Sequence, residues 1–171
     1  VFGNGVVEHE NLRLVGAFNH LHVFLDPDPR QNKQHAELTR MFQEGQGWDK
    51  FNKKVLSKGG GIFDRRSKSI PLSPEVQQML GTLKEELPPD TVIRLLLRLP
   101  VDLFWNGGIG TYVKASWETH RDADDAANDN LRVNADELRA RAVGEGGNLG
   151  FTQAGRVEFA MKGGAINTDA I

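Results

Sequence analysis

Short apolar runs, each cut off by a turn of glycines, acids or prolines, set the strongest limit on how this chain folds. Leu21-His22-Val23-Phe24-Leu25 stops at Asp26-Pro27-Asp28-Pro29. Val101-Asp102-Leu103-Phe104-Trp105 stops at Asn106-Gly107-Gly108-Ile109-Gly110, and Arg141-Ala142-Val143-Gly144 stops at Glu145-Gly146-Gly147-Asn148. Runs of this length with such punctuation read as buried strands, and Ala165-Ile166-Asn167 reads as a fourth. The segments between them carry helical signals. Residues 6–19 place Val6, Val7, Leu12, Leu14, Val15 and Phe18 mostly on one side, so a helix is expected there. A surface helix is expected over residues 31–43, and a second, short one around Trp48, Phe51 and Val55. Ser73-Pro74-Glu75 has the form of a helix start, Asp90-Thr91 opens another helix that Pro100 ends, and Thr152 caps one that runs to Met161 and stops at Gly163-Gly164. Residues 57–61 read as a flexible loop, and residues 115–139 as helical in pieces and largely solvated. Strands alternating with helices imply an α/β fold: a doubly wound, mostly parallel sheet with helices on both faces.

The chain's 171 residues suffice for one well-buried domain. With 39% hydrophobic and 26% charged residues it has a globular composition, and a net charge of -2 offers no basic footprint for nucleic acid or acidic lipid. The absence of cysteine excludes disulfides and thiolate metal sites and is compatible with a reducing cytoplasm. No apolar run approaches the roughly 20 residues of a membrane helix, and the opening residues lack the basic and apolar stretches of a signal peptide. With no initiator Met and a start inside a glycine-rich turn, the chain is expected to be an ordered piece of a longer polypeptide, truncated at both ends.

Open parallel sheets bind ligands at the carboxyl ends of their strands, where loops and helix N-termini converge. Three turns at such ends, 26–28, 106–110 and 145–150, therefore suggest a groove, against the plainer reading that glycines only serve tight turns. Gly3-Asn4-Gly5 precedes the expected first helix, where glycine lets a pyrophosphate approach the backbone. Asp26 and Asp28 follow Gly5 by 21 and 23 residues, close to the roughly 20 that a dinucleotide fold places before the acid meeting the adenosine ribose. Either acid would repel the extra phosphate of NADP, which favours NAD; either could instead be a helix cap. Asn106 and Asn148 carry donors and acceptors suited to a carboxamide or a ribose, although asparagine beside glycine also serves turns. Lys58 beside three glycines lacks P-loop spacing and reads as solvated. The five histidines show no metal-ligand spacing with carboxylates, Asp122, Asp124 and Asp125 read as a solvated face, and no Gly-x-Ser-x-Gly elbow occurs.

Several segments, in order, resemble the large bacterial NAD-specific glutamate dehydrogenases: VFGNG at the start, residues 57–61 and 68–73, PVDLFWNGGIGTYVK at 100–114, VGEGGNLGFTQAGRV at 143–157, and residues 163–171. The resemblance implies that residues 1–171 are an incomplete, Rossmann-like NAD-binding domain of a larger enzyme. Gly3, Asn4 and Gly5 would finish the pyrophosphate turn, Asp26 or Asp28 would face the adenosine ribose, and Asn106, Gly107 and Gly108 would line the cofactor groove. Glu145-Gly146-Gly147-Asn148 is similar to a Glu-Gly-Ala-Asn segment of the small glutamate dehydrogenases, whose asparagine sits near the nicotinamide; Gly147 stands where those have alanine. The implied reaction oxidises L-glutamate to 2-oxoglutarate and ammonia with NAD. Its substrate would be held by a domain outside this chain, which carries the catalytic lysine and aspartate, so no catalytic residue is expected here. The resemblance also implies a homo-oligomeric parent, while the charge balance and the lack of a long apolar run imply neither nucleic acid nor membrane as partner. Two rivals use the same groove: a nucleotide-dependent transferase, disfavoured by the missing P-loop, and a non-catalytic nucleotide-sensing or interaction domain.

Overall fold

The computed structural model describes residues 9–147 and 149–167. The chain divides into two units, residues 1–96 and 97–171.

In the first unit the Asn19 side chain sets a turn: its Oδ1 accepts from the backbone of Leu21 at 2.8 Å and of His22 at 2.7 Å. This mimic of a backbone turn folds β1 (Gly16–Phe18) back antiparallel onto β2 (His22–Leu25). The helix expected over residues 6–19 is thus corrected. Residues 16–18 are strand, residues 9–15 lead into it without helix, and 6–8 lie outside the described residues. The reason is burial. Val23, Phe24 and Leu25 are fully enclosed, and a strand so enclosed needs backbone partners along both edges. β1 supplies one edge and β3 (Gly61–Asp64), also antiparallel, the other. A Cβ at Gly16 would meet the end of the Leu96 side chain.

Between β2 and β3 the chain makes an excursion with its own core. α1 (Gln31–Gln43) spans the expected residues, and its Leu38 and Met41 pack with Phe24, Trp48 and Phe51. The Phe24 ring centroid lies 4.8 Å from that of Trp48 and 5.2 Å from that of Phe51. The second helix expected here is instead two 3-10 turns, Trp48–Lys50 and Lys53–Val55, which turn both aromatic rings inward. Glu37 of α1 ties these turns down. Its carboxylate accepts from Arg40 Nη2 at 2.6 Å, from Arg40 Nε at 3.0 Å and from the Asn52 backbone at 2.7 Å. The Arg40 hydrogen bonds hold the Glu37 carboxyl below the usual glutamate range, against the opposing effect of burial. A carboxylate depressed in the folded state stabilises above its unfolded pKa and ceases to do so as pH falls through the folded value. Protection of the Asn52 amide against hydrogen exchange, corrected for intrinsic rates, should therefore hold at neutral pH and fall below the ordinary glutamate range. Glu37→Gln should lack this pH dependence; an identical profile in that variant would refute the assignment.

The loop expected to be flexible is anchored. Gly59 has φ +82°, and Ser73 Oγ donates to its carbonyl at 3.0 Å. Lys58, although exposed, pairs with Glu75 at 2.7 Å, which raises the lysine pKa and lowers that of the acid. Ser73 caps α2 (Pro74–Leu80) by accepting from the Val76 backbone at 3.2 Å, and Gly81 at φ +68° closes it. β4 (Ile70–Pro71) and β5 (Glu86–Leu87) flank α2 as an antiparallel pair, and α3 (Pro89–Leu97) follows.

Parallel pairing, among the described residues, belongs to the second unit. β6 (Leu103–Asn106) follows the expected strand, and a long connection carries β7 (Val113–Lys114) and β8 (Val133–Asn134), themselves parallel neighbours. β9 (Ala142–Glu145), α4 (Gln153–Met161) and β10 (Ala165–Asn167) form a β-α-β unit, and the three-stranded sheet has the order β10-β9-β6. Thr152 caps α4 by accepting from Gly155 at 3.0 Å, as its position predicts. Phe151 and Phe159 are buried within the unit, and Phe104 and Phe151 approach to 6.0 Å. Over 115–139 the chain is helical in pieces and solvated through residues 116–130, as expected, but it turns inward after that. The helical pieces are 3-10 turns, and Leu131, Arg132, Val133 and Ala135 are buried. Arg132 organises them by donating to Thr111 O at 2.9 Å, Asp125 O at 2.6 Å and Asp129. Asp125, expected on a solvated face, accepts from the Thr111 backbone at 2.8 Å and from Asn128 at 2.7 Å. Sequence periodicity does not show that the buried Arg132 guanidinium ties this segment together alongside the apolar Leu131, Val133 and Ala135.

Candidate functional site

β6 and β9 run parallel and in register, so Asn106 and Glu145 end side by side at the carboxyl edge of the sheet. The turns that follow them meet. Gly146 N donates to Asn106 O at 2.9 Å, and a Cβ at Gly147 would overlap the Gly108 carbonyl oxygen. Gly107, Gly108 and Ile109 are exposed, and a Cβ at Gly108 would meet open space. At Gly107 and Gly108 the edge presents bare backbone to solvent, and at Gly147 it packs backbone against backbone. Only glycine permits such an approach at residue 147. The alanine of the small glutamate dehydrogenases would not fit this arrangement without displacing one of the turns.

Asn106 lies beneath that edge, almost entirely buried, and its Nδ2 has no hydrogen-bond partner among the described residues. A buried amide donor left unpaired costs about 1–3 kcal/mol. Glu145 differs. Its side chain is fully buried, and both oxygens are engaged: Oε2 accepts from Arg156 Nε at 2.8 Å and Nη2 at 2.7 Å, and Oε1 accepts from the Phe151 backbone at 3.0 Å. Asn148 lies outside the described residues.

The first unit divides its two candidate acids in the same way. Asp26 has no exposed surface. Its Oδ2 accepts from Gln34 Nε2 at 3.1 Å, and its Oδ1 accepts from the Ser57 backbone at 3.1 Å and from Ser57 Oγ. Gln34 in turn pairs with both backbone atoms of Leu14, at 2.7 and 2.9 Å. Asp28, two residues on, is open: its side chain is 86% exposed and meets Arg13 at 2.9 Å. Of the pair, Asp28 presents its carboxylate to solvent, and Asp26 points inward. Gly3, Asn4 and Gly5 lie outside the described residues. Ser57, Gln34 and Arg156, which hold these acids, were not legible in the sequence. Gln34 and Ser57 stand 8 and 31 residues from Asp26, and Arg156 stands 11 from Glu145, with no spacing that signals a contact.

Among the described residues, no set of histidines and carboxylates is arranged to hold a metal ion, and no helix is long and apolar enough to cross a membrane. Over its whole length, residues 1–171, the sequence matches the family described as "Bacterial NAD-glutamate dehydrogenase, catalytic domain". The chain belongs to that family. Among proteins named NAD-specific glutamate dehydrogenase, it is 52% identical to that of Pseudomonas aeruginosa and 51% identical to that of Halomonas elongata, over 172 residues in each case. It is 48% identical over 178 residues to the one from Mycobacterium tuberculosis. In all three comparisons the whole of this chain is covered, and it spans 11% of the relative's length. As a piece of a bacterial NAD-glutamate dehydrogenase catalytic domain, the chain puts its glycine-rich turns at the edge where a parallel sheet takes ligands.

Proposed function

We propose that this chain is the dinucleotide-holding part of an enzyme that oxidises L-glutamate to 2-oxoglutarate and ammonia with NAD, and that its parallel strands belong to a Rossmann-like, doubly wound sheet. The observation that carries the reading is the carboxyl edge of β6 and β9. There, Gly147 meets Gly108 backbone to backbone, and the buried Asn106 amide nitrogen has no acceptor among the described residues. These residues fit a dinucleotide: bare backbone admits close approach, and a buried donor selects a carbonyl or hydroxyl oxygen.

In this reading Asn106 donates to the cofactor, while Gly107 and Gly108 leave the groove open for it. Asn148 is a further cofactor contact. Gly3, Asn4 and Gly5 complete the pyrophosphate turn. Asp28, exposed at the end of the first unit's acidic turn, is the acceptor for the adenosine ribose hydroxyls and repels a 2′-phosphate. Asp26 holds that turn from inside. When bound, NAD supplies the acceptor for the hydride of the glutamate α-carbon, and the imine left on the substrate is hydrolysed. The lysine and aspartate of the chemistry reside outside this chain, in the domain that binds glutamate. The parent is taken to be a cytoplasmic homo-oligomer.

The test is formation of NADH from L-glutamate by the full-length protein, with NADP in parallel. Turnover with NAD, and little with NADP, is the expected result. Asp28→Asn should then narrow the preference by about tenfold, or about 1.4 kcal/mol. A folded parent that binds NAD without oxidising glutamate would instead favour a nucleotide-sensing role for the same groove.

A further inference from the structure

Three of the five residues in the turn at 146–150, Gly146, Gly147 and Gly150, carry no side chain. Its position nevertheless matters. Gly147 touches the Gly108 carbonyl, and a Cβ at Gly150 would overlap the Asn106 amide and come within 2.6 Å of Glu145 Oε1. Glu145 is the group that spans it. The residue begins the turn, and its Oε1 receives the backbone N–H of Phe151 at the far end, 3.0 Å away. The carboxylate that closes this ring is fully buried, and such a charge is sustained only by an opposite one with good geometry. Arg156, in the first half of α4, supplies it through Nε and Nη2, while its Nη1 donates to Gln153 at 3.0 Å.

We infer that Glu145 and Arg156 form a buried ionic strut that sets the cofactor turn, and that Arg156 is a positioning residue for dinucleotide binding which touches no substrate or cofactor atom. The inference rests on the proposal that this edge takes NAD. It gives Glu145 a different task from Asn106: the carboxylate holds the turn in place, and the amide meets the ligand. Removing the arginine alone strands a buried carboxylate, which must either take up a proton or leave the interior, and both weaken its hold on the turn. Removing both charges relieves that conflict, so the double variant should be less impaired than the single one.

Steady-state kinetics of the full-length enzyme separate the possibilities. Arg156→Met should raise the KM for NAD by about tenfold while the KM for glutamate stays within about twofold. Arg156→Lys should recover much of the loss, and Glu145→Gln with Arg156→Met should bind NAD better than Arg156→Met alone. If Arg156→Met does not fold, Glu145→Gln carries the test and must raise the KM for NAD selectively. An unchanged KM for NAD, or equal losses for both substrates, would overturn the strut. A wild-type enzyme with no dependence on NAD would overturn the underlying reading instead, and would be evident before any variant is measured.

Discussion

Asp26→Ala should release residues 57–60 from β2 and cost about 3–5 kcal/mol of local stability, the sum expected when three donors lose one buried acceptor. The Ser57 backbone, the Ser57 hydroxyl and the Gln34 amide all converge on this carboxylate. Gln34 cannot compensate by rotating, because its other contacts pair with Leu14 as a strand would. Asp26→Asn is the instructive intermediate. Its carbonyl can still serve Ser57, but its new NH2 faces the Gln34 NH2, and a flip of Gln34 would break the Leu14 pair. Hydrogen exchange of the full-length protein reads this directly. The amides of Ser57 and Leu14 should lose protection in Asp26→Ala and lose less in Asp26→Asn. Unchanged protection at both amides would show that Asp26 is not the anchor.

Gly147→Ala is expected to damage cofactor binding more than its size suggests. The added methyl meets a backbone carbonyl, which cannot rotate away as a flexible side chain would. Overpacking of this kind costs about 1–3 kcal/mol, and here the strain falls on the two turns that line the proposed groove. A rise of ten- to a hundredfold in the KM for NAD, about 1.4–2.8 kcal/mol, is the expected outcome. Gly108→Ala is the control for the fold, because its methyl would enter open space. It should leave exchange protection across residues 145–151 as in the wild type, whereas Gly147→Ala should lower it. If both variants protect these amides equally, the contact between the turns is not tight in solution.

Local signals in the sequence were read well where the physics is local. Ser73 and Thr152 cap helices as their positions predict, α1 fills residues 31–43, and the strands that end at Asn106 and Glu145 bring those residues to one edge. Errors arose where the deciding partner is distant. Residues 16–18 have enough apolar character for either period, and the buried β2 strand across the Asn19 turn decides for sheet. The same distance hid which acids face inward. Asp26 and Asp28 look equivalent in sequence, and only Gln34 and Ser57 distinguish them. Arg132 likewise gave no sign that it would organise a polar stretch from within.

The bond between Asp26 and Ser57 has one more consequence, for how this protein can vary. The chain leaves the strand at Asp26 and returns to the same point at Ser57, so the residues between them begin and end at a fixed gate. That excursion brings its own packing, with Leu38, Met41, Trp48 and Phe51 closing over Phe24. Loop closure depends weakly on length, about 0.6 kcal/mol for each doubling. Lineages can therefore lengthen, shorten or reshape this excursion, provided that something still covers Phe24, while the acidic turn and the loop at residues 57–60 stay where they are.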